Sequence, residues 1–184
     1  MKRIIVIATV AAVAVAGGGT AIALADDAGD HRSERAAARD AKVTAVQAID
    51  AALKAQPGTA VSADLDDDRS WEVDVLGTGT TSYTVHVDAG TGKVLGKETD
   101  KDDDGRDDDA DERRALKGAS VDARQAAEAA SAKGAVTSLS LDDDDRTAGW
   151  DVETVNGDWR VDLRTAAVTA DDDRDDDRDD ADED

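Results

Sequence analysis

The sequence predicts an α+β fold made of two tandem small units, in each of which one helix packs on a three- or four-stranded antiparallel sheet. Three observations carry this prediction. Two helix starts have the capping-box spacing, at Thr44–Gln47 and at Asp122–Gln125. The segment Tyr83–Leu95 alternates apolar and polar residues, turns at two glycines and begins a second strand. A blurred copy of this order of elements follows later in the chain.

The first unit is predicted to span residues 43–99. Its helix begins after Thr44 and ends at Pro57-Gly58, because proline and glycine disfavour the continuation of a helix. Alternating apolar residues then predict three strands, and Asp88–Gly92 supplies the turn before a further strand. The residues predicted to face inward in these strands are Val61, Ala63, Leu65, Trp71, Val73, Val75, Tyr83, Val85 and Val87.

The second unit is predicted to span residues 119–170 as a diverged copy of the first. Its helix ends at Gly134 and is faced mainly by alanine, and Asn156-Gly157 predicts a tight hairpin between its last two strands. All three tryptophans are expected in the core, because they are in phase with valines. The strands are aligned by matching Trp71, Val73 and Val75 with Trp150, Val152 and Val155, and by matching Tyr83, Val85 and Val87 with Trp159, Val161 and Leu163.

The remaining segments are expected to lie outside these units. Residues 1–25 have a short basic start, an apolar run and an A-x-A pattern, which together indicate a cleaved signal peptide. An uncleaved membrane anchor is the alternative. Residues 26–42 form a lead-in with helical potential. The acidic runs within 100–118 and 171–184 predict a disordered linker and a disordered tail, because like charges repel and cannot bury a core.

Composition limits the classes of partner. The chain has a formal net charge of -22 and contains no cysteine. Nucleic acid is not expected as a partner, because a polyanion binds through clustered lysine and arginine. Anionic membrane surfaces are disfavoured for the same reason, so no membrane contact is expected after signal cleavage. Cations and the basic patches of other proteins are the natural counterparts.

One motif in the predicted linker is similar to a metal site. Asp100, Asp102 and Asp104, followed by Gly105, fit D-x-D-x-D-G, the first half of an EF-hand-like calcium loop. The twelfth position of that loop is Asp111, which is one carbon shorter than the usual glutamate. A strand is expected before the loop where an EF-hand has a helix, and this spacing arises easily in an aspartate-rich stretch. A solvated acidic linker is therefore the alternative, and no cofactor is expected beyond weakly held calcium.

Two short acidic blocks, Asp64–Asp68 and Asp142–Asp145, are predicted to be loops at equivalent places in the two units. They are the expected contact points for a basic partner, with electrostatic steering that salt would weaken. The partner-binding residues predicted there are Asp66, Asp67, Asp68, Asp143 and Asp144.

No catalytic residues are predicted, and the chain is expected not to be an enzyme. His31 and His86 are its only imidazoles, and without cysteine they do not make a transition-metal set. The serines and threonines lack the nucleophile-elbow context and the neighbouring base that would activate them.

The helix cap, the amphipathic helix, the proline-glycine stop and the final YTVHVDAGTGKVL segment resemble the PepSY domain of secreted bacterial proteins. The resemblance is good over residues 43–97 and degenerate over residues 121–169, where the turn glycines are lost. It implies a domain that binds, and in some cases restrains, peptidases, as in the propeptides of thermolysin-type metallopeptidases. The family has no catalytic residues to carry over.

The sequence therefore predicts an exported, non-catalytic protein-interaction module, secreted or associated with the cell wall, that binds or inhibits an extracellular peptidase. The alternative is a calcium-responsive acidic protein of the cell envelope, in which the acidic segments are the functional part. A third hypothesis is a structural module with no dedicated ligand. The oligomeric state is left open.

Overall fold

The computed structural model describes residues 38, 40–100, 105–143 and 148–171. The predicted signal peptide, most of the lead-in and the tail beyond residue 171 lie outside the described residues. So do Asp102, Asp104 and Asp144 among the predicted site residues. Within the described part of the chain, three helices and nine strands confirm the α+β class.

The first half of the fold contains one helix and five strands. The helix begins where the sequence predicts, because the Gln47 backbone N–H donates to the Thr44 hydroxyl and the Thr44 N–H donates to the Gln47 side chain, at 3.4 and 3.0 Å. The elements are α1 Ala45–Ala55, β1 Thr59–Ala60, β2 Ser62–Leu65, β3 Ser70–Leu76, β4 Ser82–Asp88 and β5 Val94–Asp100.

The second half repeats this order after an intervening helix. Its capping box joins Asp122 and Gln125, with N–H···O distances of 2.8 and 3.0 Å. The elements are α2 Gly105–Ala115, α3 Ala123–Ala130, β6 Val136–Asp142, β7 Gly149–Thr154, β8 Gly157–Asp162 and β9 Val168–Ala170.

All nine described strands belong to one antiparallel sheet. Its order is β5-β4-β3-β2-β6-β7-β8-β9, with β1 paired to β3. The sheets predicted for the two units are joined into this one sheet, because β2 pairs with β6. The physical reason is that each half alone would leave the backbone groups of β2 or β6 unpaired at an edge, and their mutual pairing satisfies them.

The core is continuous across both halves. Helices α1 and α3 lie on the same face of the sheet and contact each other. Trp71 and Trp150 are fully buried, and each donates its indole N–H to a backbone carbonyl just before a helix cap, at Val43 (3.0 Å) and Val121 (3.1 Å). The prediction that these two tryptophans lie in the core is confirmed.

Trp159 departs from the core prediction. Its side chain is only half-buried at the end of the sheet near the β7–β8 turn. The indole N–H donates to the Thr154 hydroxyl at 3.2 Å, and the Lys133 ammonium lies 4.7 Å from the ring centroid. Trp159 thus covers the edge of the core with one polar contact and one cation–π contact.

The predicted disordered linker also needs correction. Strand β5 continues through Asp100, and α2 occupies residues 105–115. Asp109 is buried and accepts a hydrogen bond from the Ser82 hydroxyl at 2.8 Å, and the Arg113 guanidinium donates to the Gly77 carbonyl at 3.1 Å. The charged side chains of this helix thus find partners in the first half, with a donor for Asp109 at the start of β4 and an acceptor for Arg113 between β3 and β4.

The predicted alignment of β4 with β8 is wrong by two residues. Trp71 lies opposite Val87, and Trp150 lies opposite Val161, so Val87 corresponds to Val161 and not to Leu163. An error of two residues keeps every apolar side chain on the same face, so alternation alone does not detect it. By the same count, Thr154 rather than Val155 ends the buried row of β7, and His86 corresponds to Arg160.

The turns after β4 and β8 share one geometry. Asp88 and Asp162 each accept a hydrogen bond from a threonine hydroxyl three residues later, at 2.6 and 2.7 Å. Gly92 (φ 71°) in the first turn and Ala166 (φ 56°) in the second both take the left-handed conformation. The second turn therefore has the same shape without a glycine, and Ala166 carries the strain that glycine avoids.

Candidate functional site

The sheet face opposite α1 and α3 is polar, and we call it the open face. Strand alternation places the apolar residues of each strand under the helices and the polar residues on this side. Its residues in the central strands are Ser62, Asp64, Glu72, Asp74, Thr84, His86, Ser138, Ser140, Asp151, Glu153 and Arg160. The open face is therefore strongly acidic.

Three carboxylates, at Asp64, Glu72 and Asp74, crowd the middle of the open face. We call them the central carboxylates. Asp64 on β2 lies directly opposite Glu72 on β3, a like-charge pairing that destabilises a sheet. The Ser138 hydroxyl on β6 donates to Asp64 at 2.5 Å. Asp74 accepts from the hydroxyls of Ser62 and Thr84, at 2.8 and 2.7 Å.

This crowding changes the acidity of the central carboxylates. The pKa of Asp64 is raised to about 7, first by burial and then by the charges of Asp74, Glu72 and Asp66, against the hydrogen bond from Ser138, which lowers it. Burial also raises the pKa of Glu72, with the charges of Asp74 and Asp66 acting in the same direction. Asp64 therefore changes its protonation state near neutral pH.

In the second half of the sheet, an arginine pairs with the carboxylates of the open face. The Arg160 guanidinium on β8 donates to Asp151 at 2.8 Å and also to Asp142. The corresponding position in the first half is His86, whose Nδ1 atom lies 3.9 Å from Glu72. A permanently charged guanidinium thus pairs with the carboxylates of the second half, and an imidazole lies beside those of the first.

The β2–β3 loop holds three of the predicted partner-binding residues. Asp66 is half-buried, and its pKa is raised by burial and then by the charge of Asp68. Asp67 and Asp68 are exposed, and Asp68 caps the loop by accepting from the Ser70 N–H and hydroxyl, at 3.0 and 2.7 Å. Asp143 follows β6 and is half-buried. Partner binding by these residues stays a prediction.

The predicted calcium loop overlaps helix α2, whose backbone geometry differs from that of an EF-hand loop. An EF-hand loop uses the backbone carbonyl of its seventh position as a ligand. Here α2 begins at Gly105, the sixth position, so the following carbonyls lie within helical hydrogen bonding. Asp111 pairs with Arg114 on the same helix. With Asp102 and Asp104 outside the described residues, calcium binding at Asp100–Asp111 stays a prediction. Among the described side chains, no three His, Asp or Glu converge to hold a metal.

Sequence reasoning missed the central carboxylates. It treated Asp64 as part of an acidic loop, whereas the structure places Asp64 in β2. The signal available was the alternation of Ala63 and Leu65, which already put Asp64 on the opposite face of a strand. The pairing of β2 with β6, which brings Ser138 to Asp64, had no signal in the sequence.

Comparison with known proteins assigns a family to the first half. Residues 42–98 match the family model of the PepSY domain, described as "Peptidase propeptide and YPEB domain". The match covers α1, β1 to β4 and most of β5, so one PepSY domain is found in the chain. No curated protein matches the chain.

One solved structure is similar to this chain. It is the crystal structure of a protein described as a putative lipoprotein from Clostridium difficile 630. The two sequences are 24% identical, and the alignment covers 71% of this chain and 92% of that one, with a TM-score of 0.42. In the described part of the chain, no helix is long and apolar enough to cross a membrane.

Proposed function

We propose that this chain is an exported, non-catalytic interaction module that binds an extracellular peptidase and restrains it. The observation that carries the proposal is the PepSY match over residues 42–98, because the description of that family names peptidase propeptides. A propeptide acts by contact with its peptidase, and the polar groups of the open face already hydrogen-bond to one another. Binding, not catalysis, is the activity that this arrangement favours.

We further propose that residues 119–170 are a diverged second PepSY-like unit. Three local arrangements support this. The helix caps at Thr44 and Asp122 have the same reciprocal bonds, and the indoles of Trp71 and Trp150 bond to the carbonyls before those caps. The aspartate-threonine turns after β4 and β8 have the same bonds as well.

The proposed contact surface is the β2–β3 loop. Asp67 and Asp68 are exposed there beside half-buried Asp66, and the chain as a whole carries a net charge of -22. Such a surface attracts a partner with a basic patch, and this attraction weakens as salt screens the charges. The proposed partner surface is therefore basic.

Inhibition kinetics test the proposal. The full chain is added to a thermolysin-type metallopeptidase, the class that the family resemblance implies, and hydrolysis of a short peptide is followed. A saturable fall in rate is expected, with weaker inhibition by the variant in which Asp66, Asp67 and Asp68 are all replaced by Asn. Asp158→Asn, an exposed change on β8, is the matched control and should inhibit like the parent. Unchanged hydrolysis at every concentration, together with no complex at moderate salt, contradicts the proposal.

A second candidate function is a calcium-responsive acidic protein. The like-charge repulsion among Asp64, Glu72, Asp74 and Asp66 favours it, because any cation that screens these carboxylates lowers that repulsion. Calcium titration followed by tryptophan fluorescence separates the two candidates. A saturable transition lost in Asp102→Asn with Asp104→Asn supports a specific site, and a featureless response that monovalent salt reproduces does not.

A further inference from the structure

The turn between β7 and β8 contains Asn156, the only asparagine of the chain, and Gly157 follows it directly. Asn156 is exposed to water. Gly157 has a φ of 131°, and a Cβ built on it would lie more than 4 Å from every described residue except its chain neighbours. The space around this pair is therefore open, and no side chain on Gly157 shields its backbone nitrogen from the Asn156 amide.

The side-chain amide of Asn156 ties this turn to the end of α3. Its NH2 group donates to the Lys133 carbonyl at 2.6 Å, and the Asn156 backbone N–H donates to the Thr154 hydroxyl at 3.2 Å. Lys133 lies just past α3, where the last carbonyls carry the partial negative charge of a helix C-terminus. A backbone bond from the Val155 N–H to the Ala135 carbonyl, at 3.0 Å, lies at the same junction. The Asn156 amide is therefore a donor that this junction uses.

An asparagine before a glycine loses its amide without an enzyme, because the following backbone nitrogen attacks the side-chain carbonyl carbon. Asparagine is accordingly among the thermally labile residues. At this site the Gly157 nitrogen bonds to Asn156 Cγ, and the proton of that nitrogen leaves with the amide as ammonia. Water then opens the cyclic imide at either carbonyl and gives aspartate or isoaspartate. One water is consumed and one ammonia is released, so the reaction needs no oxidant, reductant or cofactor.

We propose that Asn156 is a site of spontaneous deamidation, and that loss of its amide releases the β7–β8 turn from the end of α3. A carboxylate only accepts hydrogen bonds, so the product does not donate to the Lys133 carbonyl. The product also places a negative charge beside the carbonyls of a helix C-terminus, which is unfavourable. The Lys133 ammonium lies 4.7 Å from the centroid of the Trp159 ring, and the new carboxylate competes with the ring for it. The proposal does not depend on the binding of a peptidase.

Mass spectrometry of the full chain tests whether the reaction occurs. The chain is incubated in mildly alkaline buffer, which favours attack by the backbone nitrogen, and samples are digested with trypsin at intervals. Cleavage after Arg146 and Arg160 places Asn156 in one peptide, which should gain the mass difference between OH and NH2. The glutamines of the chain are internal controls and should stay unchanged, because their longer side chains close a larger ring.

A parallel incubation in urea, which opens the turn, gives the rate of the unhindered reaction. The folded chain should react more slowly than the chain in urea, because the bonds of Asn156 to Lys133 and Thr154 restrain the turn. If the Asn156 peptide of the folded chain gains no mass by the time the urea sample has fully reacted, the proposal is overturned. It is also overturned if neither sample reacts.

Amide hydrogen exchange on substituted chains tests the release of the turn. Asn156→Asp is the deamidated product, and Asn156→Ala removes the donor without adding a charge. The reporter is the Val155 N–H, and the reference is the Val43 N–H, which bonds to the Ala89 carbonyl in the first half at 2.9 Å. After correction for intrinsic exchange, protection of Val155 should fall by about fivefold or more in Asn156→Asp and by less in Asn156→Ala.

The matched control is Asp158→Asn, which changes an exposed charge on the same hairpin and should leave the protection of Val155 unchanged. Protection of Val43 should be the same in every variant, because the released contact lies in the second half. Equal protection of Val155 in Asn156→Asp and the parent overturns the proposed release, and so does an equal fall at Val155 and Val43.

Discussion

The left-handed turn residues Gly92 and Ala166 give opposite predictions for reciprocal substitutions. They occupy equivalent turns, with φ of 71° and 56°, and each donates its N–H to the carbonyl of an aspartate four residues earlier, at 2.8 and 3.1 Å. Ala166→Gly should stabilise the fold because it removes a strained Cβ. Gly92→Ala should destabilise the fold because it introduces one.

The magnitudes follow from the backbone and from the space available. A Cβ on Gly92 would lie 3.6 Å from Val43 Cγ2, an ordinary contact, so the cost comes from φ alone. That cost is about 1–2 kcal/mol, of which roughly 0.4–1 kcal/mol is offset by the lower entropy of the unfolded chain. Gly92→Ala should therefore destabilise by about 1 kcal/mol. For Ala166→Gly, the gain should be about 0.5–1 kcal/mol, because glycine gives the unfolded chain more freedom.

Urea denaturation followed by tryptophan fluorescence measures both effects, since Trp71 and Trp150 are fully buried. Gly90→Ala is the matched control in the first turn, because Gly90 does not have positive φ and its added Cβ would meet Asp88 at 3.4 Å. It should change stability little. If Ala166→Gly destabilises the fold, or if Gly92→Ala behaves like Gly90→Ala, the reasoning about the left-handed turn is refuted.

Three further predictions concern the core, the central carboxylates and the acidic segments. Trp71→Phe and Trp150→Phe should each lower the free energy of unfolding, measured by urea denaturation, by about 1–3 kcal/mol, because each loses an indole hydrogen bond and has a smaller ring. If the losses for the two variants differ by more than about 2 kcal/mol, the two tryptophans do not have equivalent roles. Asp64→Asn should stabilise the fold at pH 8 by up to about 4 kcal/mol and have little effect at pH 4, because the carboxyl with a pKa of about 7 is ionised only at the higher pH. Thermal melts at both pH values measure this, and an equal change in stability at pH 4 and pH 8 would refute it. A calcium titration of the full chain should give a weak response that monovalent salt reproduces, because α2 begins within the segment that an EF-hand needs as a loop. A saturable transition at micromolar calcium would contradict this.

Much of the local structure was predictable, because its causes are local. The reciprocal bonds at Thr44 and Asp122 depend on residues three positions apart, and both helices begin there. Alternation likewise identified β3, β4 and β7. The two-residue error in the last strands arose because a period of two does not change under a shift of two.

The centre of the open face could not be predicted, because it depends on a pairing between distant segments. Neither β2 nor β6 carries a residue that specifies the other as its partner, so the contact of Ser138 with Asp64 follows only from the assembled sheet. Helix α2 was missed for a related reason. Its composition indicates repulsion, whereas the bonds of Asp109 to Ser82 and of Arg113 to Gly77 become available only in the fold.

The central claim, that this chain binds and restrains a peptidase, is tested most directly by titrating a thermolysin-type metallopeptidase with the full chain and measuring peptide hydrolysis. The account predicts saturable inhibition that weakens with salt and with the loss of the carboxylates at Asp66, Asp67 and Asp68. Hydrolysis that continues at the uninhibited rate at every concentration, with no complex surviving moderate salt, would contradict it.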